Sequence, residues 1–428
     1  MRVIERLGGA TPSASPRTRG QPADLEQVVA RIHDRVVDRI DLSQVARLEP
    51  AALFARLRAV VQELAAEEHI PLAEAERDAV AQKLVDEMTG LGPIEGLLAD
   101  PQVSDVLVNT PAQVWIERDG RLELTAVRFR DQAHLVHTIR RIAAHVGRRI
   151  DESSPMVDAR LPDGSRVNAV LPPLAIDGPL LSIRRFGSRP LTADELYAGG
   201  SLDREMLAYL AAAVRARLTI LVAGGTGAGK TTLLNVLSSF IPDRERILTI
   251  EDAAELRLQQ RHVCRLETRP PNLEGKGEVT IRDLVRNALR MRPDRIVVGE
   301  VRGNEVLDML QAMNTGHEGS LATLHANSPV DAIGRLMTML GMSGIALSEA
   351  VMARLIARAV QVIVHVQRDA DGQRRVTSIA EVAGQAGPVV ELEEIFAWAH
   401  SPAAARGGFV HVRPTRFAER LLRRERAR

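Results

Sequence analysis

At 428 residues and 45% hydrophobic content, the chain is too long for one core and divides into more than one domain. Lys and Arg number 56 against 55 Asp and Glu, and aromatics make up 3%, so neither charge nor stacking surface gives a reason to invoke nucleic acid. The one cysteine, Cys264, excludes a disulfide framework and a cysteine zinc site and suits a reducing cytoplasm, and no apolar run approaches the ~18 residues that cross a bilayer.

Residues 1–22 are rich in Arg, Ser, Pro and Gly and lack the apolar stretch of a secretory signal; their composition predicts disorder. Residues 23–90 then show three helical stripes. Leu25, Val28, Val29, Ile32, Val36 and Ile40 form the first, and Leu53, Leu57, Val60, Val61 and Leu64 the second, after Pro50. Val80, Leu84, Val85 and Met88 form the third. They predict a small three-helix module.

Gly90-Leu91-Gly92-Pro93 breaks the helix and opens an α+β domain over residues 91–186. Val103 to Asn109 and Gln113 to Thr125 read as strands, the latter turning at Asp119-Gly120. Gln132 to Val146 reads as a helix. A second hairpin turns at Pro162-Asp163-Gly164, and Leu180 to Phe186 closes the domain as a strand. Residues 187–190 read as a linker. From Leu191 to the end at 428, helices and strands alternate, which predicts a mostly parallel α/β sheet. Its best strands are Leu218–Ala223, Ile247–Ile250, Arg295–Gly299 and Ser320–Leu324, with an antiparallel hairpin, Val362–Gln367 and Val376–Val382, turning at Asp371-Gly372. Arg420 to Arg428 is a basic tail of the kind that ends a solvated helix.

The last domain carries the motif with the most chemistry. Gly224-Gly225-Thr226-Gly227-Ala228-Gly229-Lys230-Thr231 fits G-x-x-x-x-G-K-[ST] between a strand and a helix that begins at Thr232. Glycines let backbone N–H groups close on phosphate oxygens, and the helix N-terminus adds a favourable dipole. Lys230 is expected at the β- and γ-phosphates and the Thr231 hydroxyl on Mg²⁺, which makes ATP and Mg²⁺ the cofactors. Two apolar strands end in acids: Ile296-Val297-Val298-Gly299-Glu300, and Thr249-Ile250-Glu251-Asp252 followed by Glu255. In an open parallel sheet, ligands gather at the carboxyl ends of strands. Glu300 and Asp252 are therefore candidates for the metal, and one of Glu251 and Glu300 for the general base; the spacing does not assign it. His317 and His325 bracket a strand, and His325, at its carboxyl end, is placed to meet the γ-phosphate or the acids. Arg166 and the Arg184-Arg185 pair precede the linker. Arginine matches phosphate bidentately, so a domain that carries these three over a bound nucleotide would couple hydrolysis to motion.

The linked motifs resemble the secretion ATPases of the bacterial type II/type IV superfamily, and most closely the CpaF-like ATPases of the tight-adherence (Flp pilus) system. The resemblance rests on Val103-Ser104-Asp105-Val106-Leu107-Val108-Asn109, Leu161-Pro162-Asp163-Gly164-Ser165-Arg166-Val167 and Ser182-Ile183-Arg184-Arg185-Phe186. It continues through the Gly224–Thr231 loop, Glu274-Gly275-Lys276-Gly277-Glu278-Val279-Thr280, Met291-Arg292-Pro293-Asp294-Arg295, Gly299-Glu300-Val301-Arg302-Gly303 and Met313-Asn314-Thr315-Gly316-His317 to Leu324-His325-Ala326-Asn327-Ser328. It implies a RecA-like P-loop NTPase domain, an α+β, PAS-like N-terminal domain with a preceding helical module, and a cytoplasmic homohexamer docked on inner-membrane platform proteins. It also implies that Glu251, Asp252 and Glu255 form an Asp box, that Glu300 is an atypical Walker B acid, and that His317 and His325 lie in a His box. Gly224 to Thr231, with Thr232 and His317, would contact nucleotide, and Arg166, Arg184 and Arg185 the phosphates. The type II branch usually carries a tetracysteine zinc module, which one cysteine cannot build. Three rival readings share parts of this sequence: a conjugation-type traffic ATPase on the same core, a hexameric nucleic-acid motor, and a nucleotide-binding scaffold without turnover.

Overall fold

A computed structural model of the chain describes residues 35, 50–118, 120–185, 190–271, 276–369, 372–399 and 407–425. The readings for residues 1–22, for the first helical stripe from Leu25 to Ile40, for linker residues 187–189 and for tail residues 426–428 lie outside these. So do Asp119, Phe186, Glu274, Gly275 and Asp371. The chain divides into two compact units, Met1–Arg185 and Phe186–Arg428.

In the first unit, α1 (Pro50–Glu67) and α2 (Glu74–Thr89) pair along their apolar stripes. Leu53, Leu57, Val61 and Leu64 meet Val80, Ala81, Leu84 and Val85 in a small buried cluster, and Arg58 reaches from α1 to Glu74 at 2.7 Å and to Asp78. A short helix, α3 (Glu95–Ala99), leads into six strands: β1 (Val103–Thr110), β2 (Gln113–Arg118), β3 (Arg121–Leu124), β4 (Met156–Arg160), β5 (Arg166–Val170) and β6 (Leu180–Arg184). Their order is β3-β2-β1-β6-β5-β4, antiparallel throughout. Alternation buries Val106 and Val108 of β1, Val167 and Ala169 of β5, and Leu181 and Ile183 of β6. Helix α4 (Gln132–His145) packs Leu135, Ile139 and Ile142 into the same core. It starts where the Asp131 carboxylate accepts the His134 N–H at 2.7 Å, an N-cap.

The second unit begins with α5 (Ala193–Ala198) and α6 (Arg204–Arg215). It continues β7 (Ile220–Gly224), α7 (Lys230–Ser238), β8 (Ile247–Glu251), β9 (Val263–Glu267), α8 (Ile281–Ala288), β10 (Arg295–Val301), α9 (Glu305–Asn314) and β11 (Leu321–His325). After α10 (Pro329–Gly341) and α11 (Glu349–Ala359) come β12 (Val362–Arg368), β13 (Arg374–Ala386), β14 (Val389–Ala399), β15 (Gly408–His411) and α12 (Ala418–Glu425). Nine strands form one sheet in the order β15-β14-β13-β12-β7-β11-β10-β8-β9. From β12 to β9 neighbours run parallel; from β12 outward to β15 they run antiparallel. An apolar cluster covers each face. β7 and β8 are therefore buried at every position; β7 reads as an unbroken apolar run, and β8 is apolar but for Thr249 and its terminal Glu251. The sheet is wider than the sequence suggests: β9 extends one edge, and β14 and β15 extend the hairpin on the other.

Candidate functional site

The glycine-rich loop leaves the carboxyl end of β7, the strand between β12 and β11. Gly224 is required by its neighbour: a Cβ there would stand 2.4 Å from the Val366 carbonyl oxygen. Gly227 and Gly229 hold φ of +69° and +98°, in the left-handed region, and turn the chain back into α7. Lys230 opens α7 and folds over the loop, donating from Nζ to the carbonyls of Gly224 at 3.1 Å and Gly225 at 2.9 Å. Burial pulls its pKa below the ordinary lysine value; the charge of Glu300 opposes that shift and the charge of Arg302 adds to it. Thr231 and Thr232 follow, both half-buried. Gly225, Thr226 and Ala228 complete the loop, with the Ala228 side chain buried.

The acids stand at the same edge of the sheet. His325 pairs with Gly224 across β11 and β7, and Val298 of β10 pairs with Ile250 of β8. The register of β10 against β11 slips between Val298 and Val301, so Gly299 and Glu300 sit in an irregularity that re-aims the side chain. The Thr323 hydroxyl on β11 donates to the Gly299 carbonyl at 2.5 Å and fixes that distortion. Glu251, at the end of β8, is only 2% exposed. Its Oε2 accepts the N–H groups of Glu255 at 2.6 Å and Leu256 at 2.9 Å, while Oε1 is buried with no partner. Burial raises its pKa above the usual carboxylate range, against those two backbone hydrogen bonds. Gly299 gives it room, since a Cβ there would stand 2.8 Å from the Glu251 Cγ. Asp252 is exposed and accepts from the Thr268 hydroxyl at 3.3 Å.

Arg302 joins the two strand ends. It donates from Nε to Glu300 at 2.8 Å, makes a second bond to the same oxygen from Nη2, and reaches Asp252 at 3.4 Å. Two carboxylates thus converge on one guanidinium. Carboxylate and hydroxyl oxygens are hard donors of the class that could hold Mg²⁺.

His317 stands elsewhere. It precedes β11 at the amino end of that strand, with Nδ1 3.3 Å from the Ala312 carbonyl. Five strand residues at ~3.3 Å each separate it from the phosphate-loop edge, so within one chain it does not reach the loop, contrary to the expected nucleotide contact. The turn after it is fixed by Arg295, which is fully buried, pairs with Glu245 at 2.6 Å and donates to the Gly319 carbonyl at 2.8 Å. His325 lies at the loop edge, half-buried.

Arg166, Arg184 and Arg185 belong to the first unit. Arg166 on β5 pairs in register with Arg184 on β6, which donates to Asp105 of β1 at 3.1 Å. Arg185 donates to the carbonyls of Val103 at 2.9 Å and Asp100, which ties it to its own sheet.

Three residues of the second unit's site gave no signal strong enough to single out in the sequence. Arg302 sits two positions beyond Glu300, a same-side spacing at a strand end. His365 on β12 pairs with Ala223 of β7, has Nδ1 2.6 Å from the Thr377 hydroxyl, and is held below the ordinary histidine pKa by burial. Arg374 on β13 donates from Nε to the Gly227 carbonyl at 3.0 Å. Its contact spans 147 residues of sequence, which no local pattern encodes.

Residues 87–392 match the family described as type II/IV secretion system protein. The chain is 44% identical over 326 residues to a putative conjugal transfer protein of Mycobacterium tuberculosis, covering 74% of this chain and 92% of that one. It is 32% identical over 292 residues to the conjugal transfer protein TrbB of Rhizobium radiobacter, covering 67% and 86%. Among solved structures, it is similar to the VirB11 ATPase of the Brucella suis type IV secretion system in complex with sulphate, at 31% identity and a TM-score of 0.38, covering 68% and 95%.

Proposed function

The chain belongs to the type II/IV secretion system protein family, and from that premise we propose that it is an ATP-hydrolysing motor of a secretion or pilus machine. The observation that carries the reading is the edge of the nine-stranded sheet. There a glycine loop with a half-buried lysine faces two acidic strand ends across a single bridging arginine. Lys230 balances the β- and γ-phosphates, and Thr231, Glu300 and Asp252 would hold Mg²⁺, which would neutralise negative charge on the phosphate oxygens. Glu300 or Glu251 orients and deprotonates the attacking water. Arg166, Arg184 and Arg185 act on the phosphates as cations, and His325 as a hydrogen-bonding partner of the γ-phosphate. The test is ATP turnover by the purified chain. Lys230→Ala removes the main cation of the loop and abolishes hydrolysis; undiminished turnover in that variant rejects the assignment.

We further propose that the chain is a CpaF-like homohexamer, with a RecA-like domain over residues 191–428, a PAS-like domain over 91–186 and a helical module before it. It works at the cytoplasmic face of the inner membrane, on platform proteins of a tight-adherence pilus, with no zinc and no nucleic-acid cargo. Two relatives described as conjugal transfer proteins favour a second reading, a traffic ATPase of conjugation type. Deleting the gene separates them: loss of surface pili supports the first, and loss of plasmid transfer with pili intact supports the second.

A further inference from the structure

We infer that Arg374 is a nucleotide-binding residue that serves the nucleoside end of the phosphate chain, the α-phosphate; the inference rests on the nucleotide reading of the glycine loop. The position follows from the sheet. β12 lies directly beside β7, with Val366 opposite Gly224. The hairpin then runs on through Gln367 and Arg368, past the end of β7 and alongside the loop, and returns with Arg374 opposite Arg368. Arg374 donates from Nε to the Gly227 carbonyl at 3.0 Å. Its stem passes Gly229, where a Cβ would stand 3.2 Å from the Arg374 Cδ. A glycine in that place serves both the left-handed turn and the passage of the arginine.

The hairpin that carries Arg374 is held from several directions. Gln373 donates to the Gly199 carbonyl at 2.7 Å, Asp369 N–H bonds the Gln373 carbonyl at 2.8 Å, and Val376 N–H bonds the Ser201 carbonyl at 2.8 Å. Arg375, next in sequence, is ion-paired with Asp369 and lies over the Trp398 ring at 4.7 Å. Arg374 differs from it. Its side chain is exposed, its bond goes to a neutral carbonyl, and among the described residues no carboxylate pairs with it. A guanidinium has five N–H donors, and one is engaged on Gly227, so the remaining ones are available to an anion in the loop. Arg302, by contrast, is committed to Glu300 and Asp252.

The strand order sets which phosphate Arg374 serves. Glu300, Asp252 and Glu251 end β10 and β8, on the β11 side of β7, and Arg374 comes from β13, on the β12 side. A nucleotide whose terminal phosphate turns to the acids and their metal turns its α-phosphate and ribose toward β12 and β13. Arg374 therefore contributes to holding ADP and ATP alike, and little to the bond that breaks.

The experiment measures binding of a fluorescent methylanthraniloyl ADP to the full chain, with steady-state ATP turnover on the same preparations. Charge-assisted bonds to phosphate are strong but this one is partly solvated, so R374A is expected to weaken ADP about tenfold and to raise KM for ATP by a similar factor, with a smaller loss in kcat. R374K keeps the charge without the fork and recovers part of the affinity; R374Q does not. Ligand-free melting of each variant reports the fold, and if R374A melts early the R374K and R374Q pair decides. Unchanged ADP affinity in R374A and R374Q, beside a Lys230→Ala variant that has lost it, overturns the inference and leaves the nucleotide reading standing. A loss of kcat at unchanged ADP affinity also overturns it, by placing Arg374 at the scissile phosphate. Wild-type ADP affinity in Lys230→Ala overturns the nucleotide reading itself.

Discussion

Glu251 and Glu300 end neighbouring strands, yet their surroundings differ in kind. One oxygen of Glu251 caps the turn at Glu255 and Leu256, and the other is buried without a partner. Glu300 lies half-exposed on Arg302. A base that must meet water and a phosphate needs access, which favours Glu300, while Glu251 shapes the turn beside it. Glu300→Gln is therefore expected to bind ATP within a few-fold of wild type and to lose about 10²–10⁴ in turnover, the range of general acid–base assistance. If Glu251→Gln has the larger effect on the chemical step, the base is the buried acid. A second consequence concerns stability. Burial holds the Glu251 pKa above the ordinary glutamate value, so the folded state binds the proton more tightly than the unfolded state. The stabilisation from that proton is complete below about 4.5 and is lost as pH rises through the folded value. Glu251→Gln removes this dependence. Thermal melting across pH 4 to 8 should show the variant gaining on wild type as pH rises; a gap that is constant, or that narrows upward, contradicts the buried-acid picture.

At the level of elements, the sequence displays what lies in the middle of the sheet and hides what lies at its margins. β7, β8, β10 and β11 are legible because parallel strands buried on both faces carry mainly apolar runs, with their polar residues largely at the strand ends. β9 alternates only partly, because an edge strand needs little burial, and β14 runs through Glu391, Glu393 and Glu394 before its buried Ile395-Phe396 pair. The acids, lysine and glycines of the loop edge share short motifs and were legible for that reason; Arg302 bridging two strand ends and Arg374 on the loop are products of tertiary structure. β13 shows the same limit in Glu381. This carboxylate is fully buried and accepts from the Tyr209 hydroxyl on α6 at 2.7 Å, from Arg416 N–H at 3.0 Å and from the Thr415 hydroxyl. Burial foremost, then the Glu381 charge, pushes the Tyr209 pKa well up. The contact binds α6 and the segment ahead of α12 to the sheet. Tyr209→Phe removes one bond and should cost about 1 kcal/mol, while Glu381→Ala orphans several donors at ~1–3 kcal/mol each. Urea denaturation of the second unit's transition checks the order; equal costs would mean that the donors find water instead.

For the whole molecule, the question is what the proposed motor acts on, and the aromatic residues bear on it. A protein that tracks single strands needs exposed rings interleaved with cations. Among the described residues the rings are largely used in packing, with Tyr197 the exposed one. Phe129, Tyr209 and Phe396 are buried, Trp398 is covered by Arg375 and meets Phe409 edge-on, and Arg204 and Arg215 lie over Tyr197 and Phe240. Charge is balanced to +1, and much of the arginine is spent on carboxylates, as in Arg295–Glu245 and Arg282–Asp308. Arg160, Arg166 and Arg184 stand opposite one another across β4, β5 and β6, with Asp105, ion-paired to Arg184, next in line on β1. Three cations on one row are too short a track for a strand of nucleic acid. Single-stranded DNA is thus expected to change ATP turnover less than twofold at both ~50 and ~200 mM salt, because counterion release needs a longer cationic track. The measurement is steady-state hydrolysis with and without an unstructured oligonucleotide at the two salt concentrations. Stimulation of several-fold at low salt that disappears at high salt would transfer the assignment to a nucleic-acid motor. The same result with Arg160, Arg166 and Arg184 replaced by glutamine would place the DNA contact outside this row.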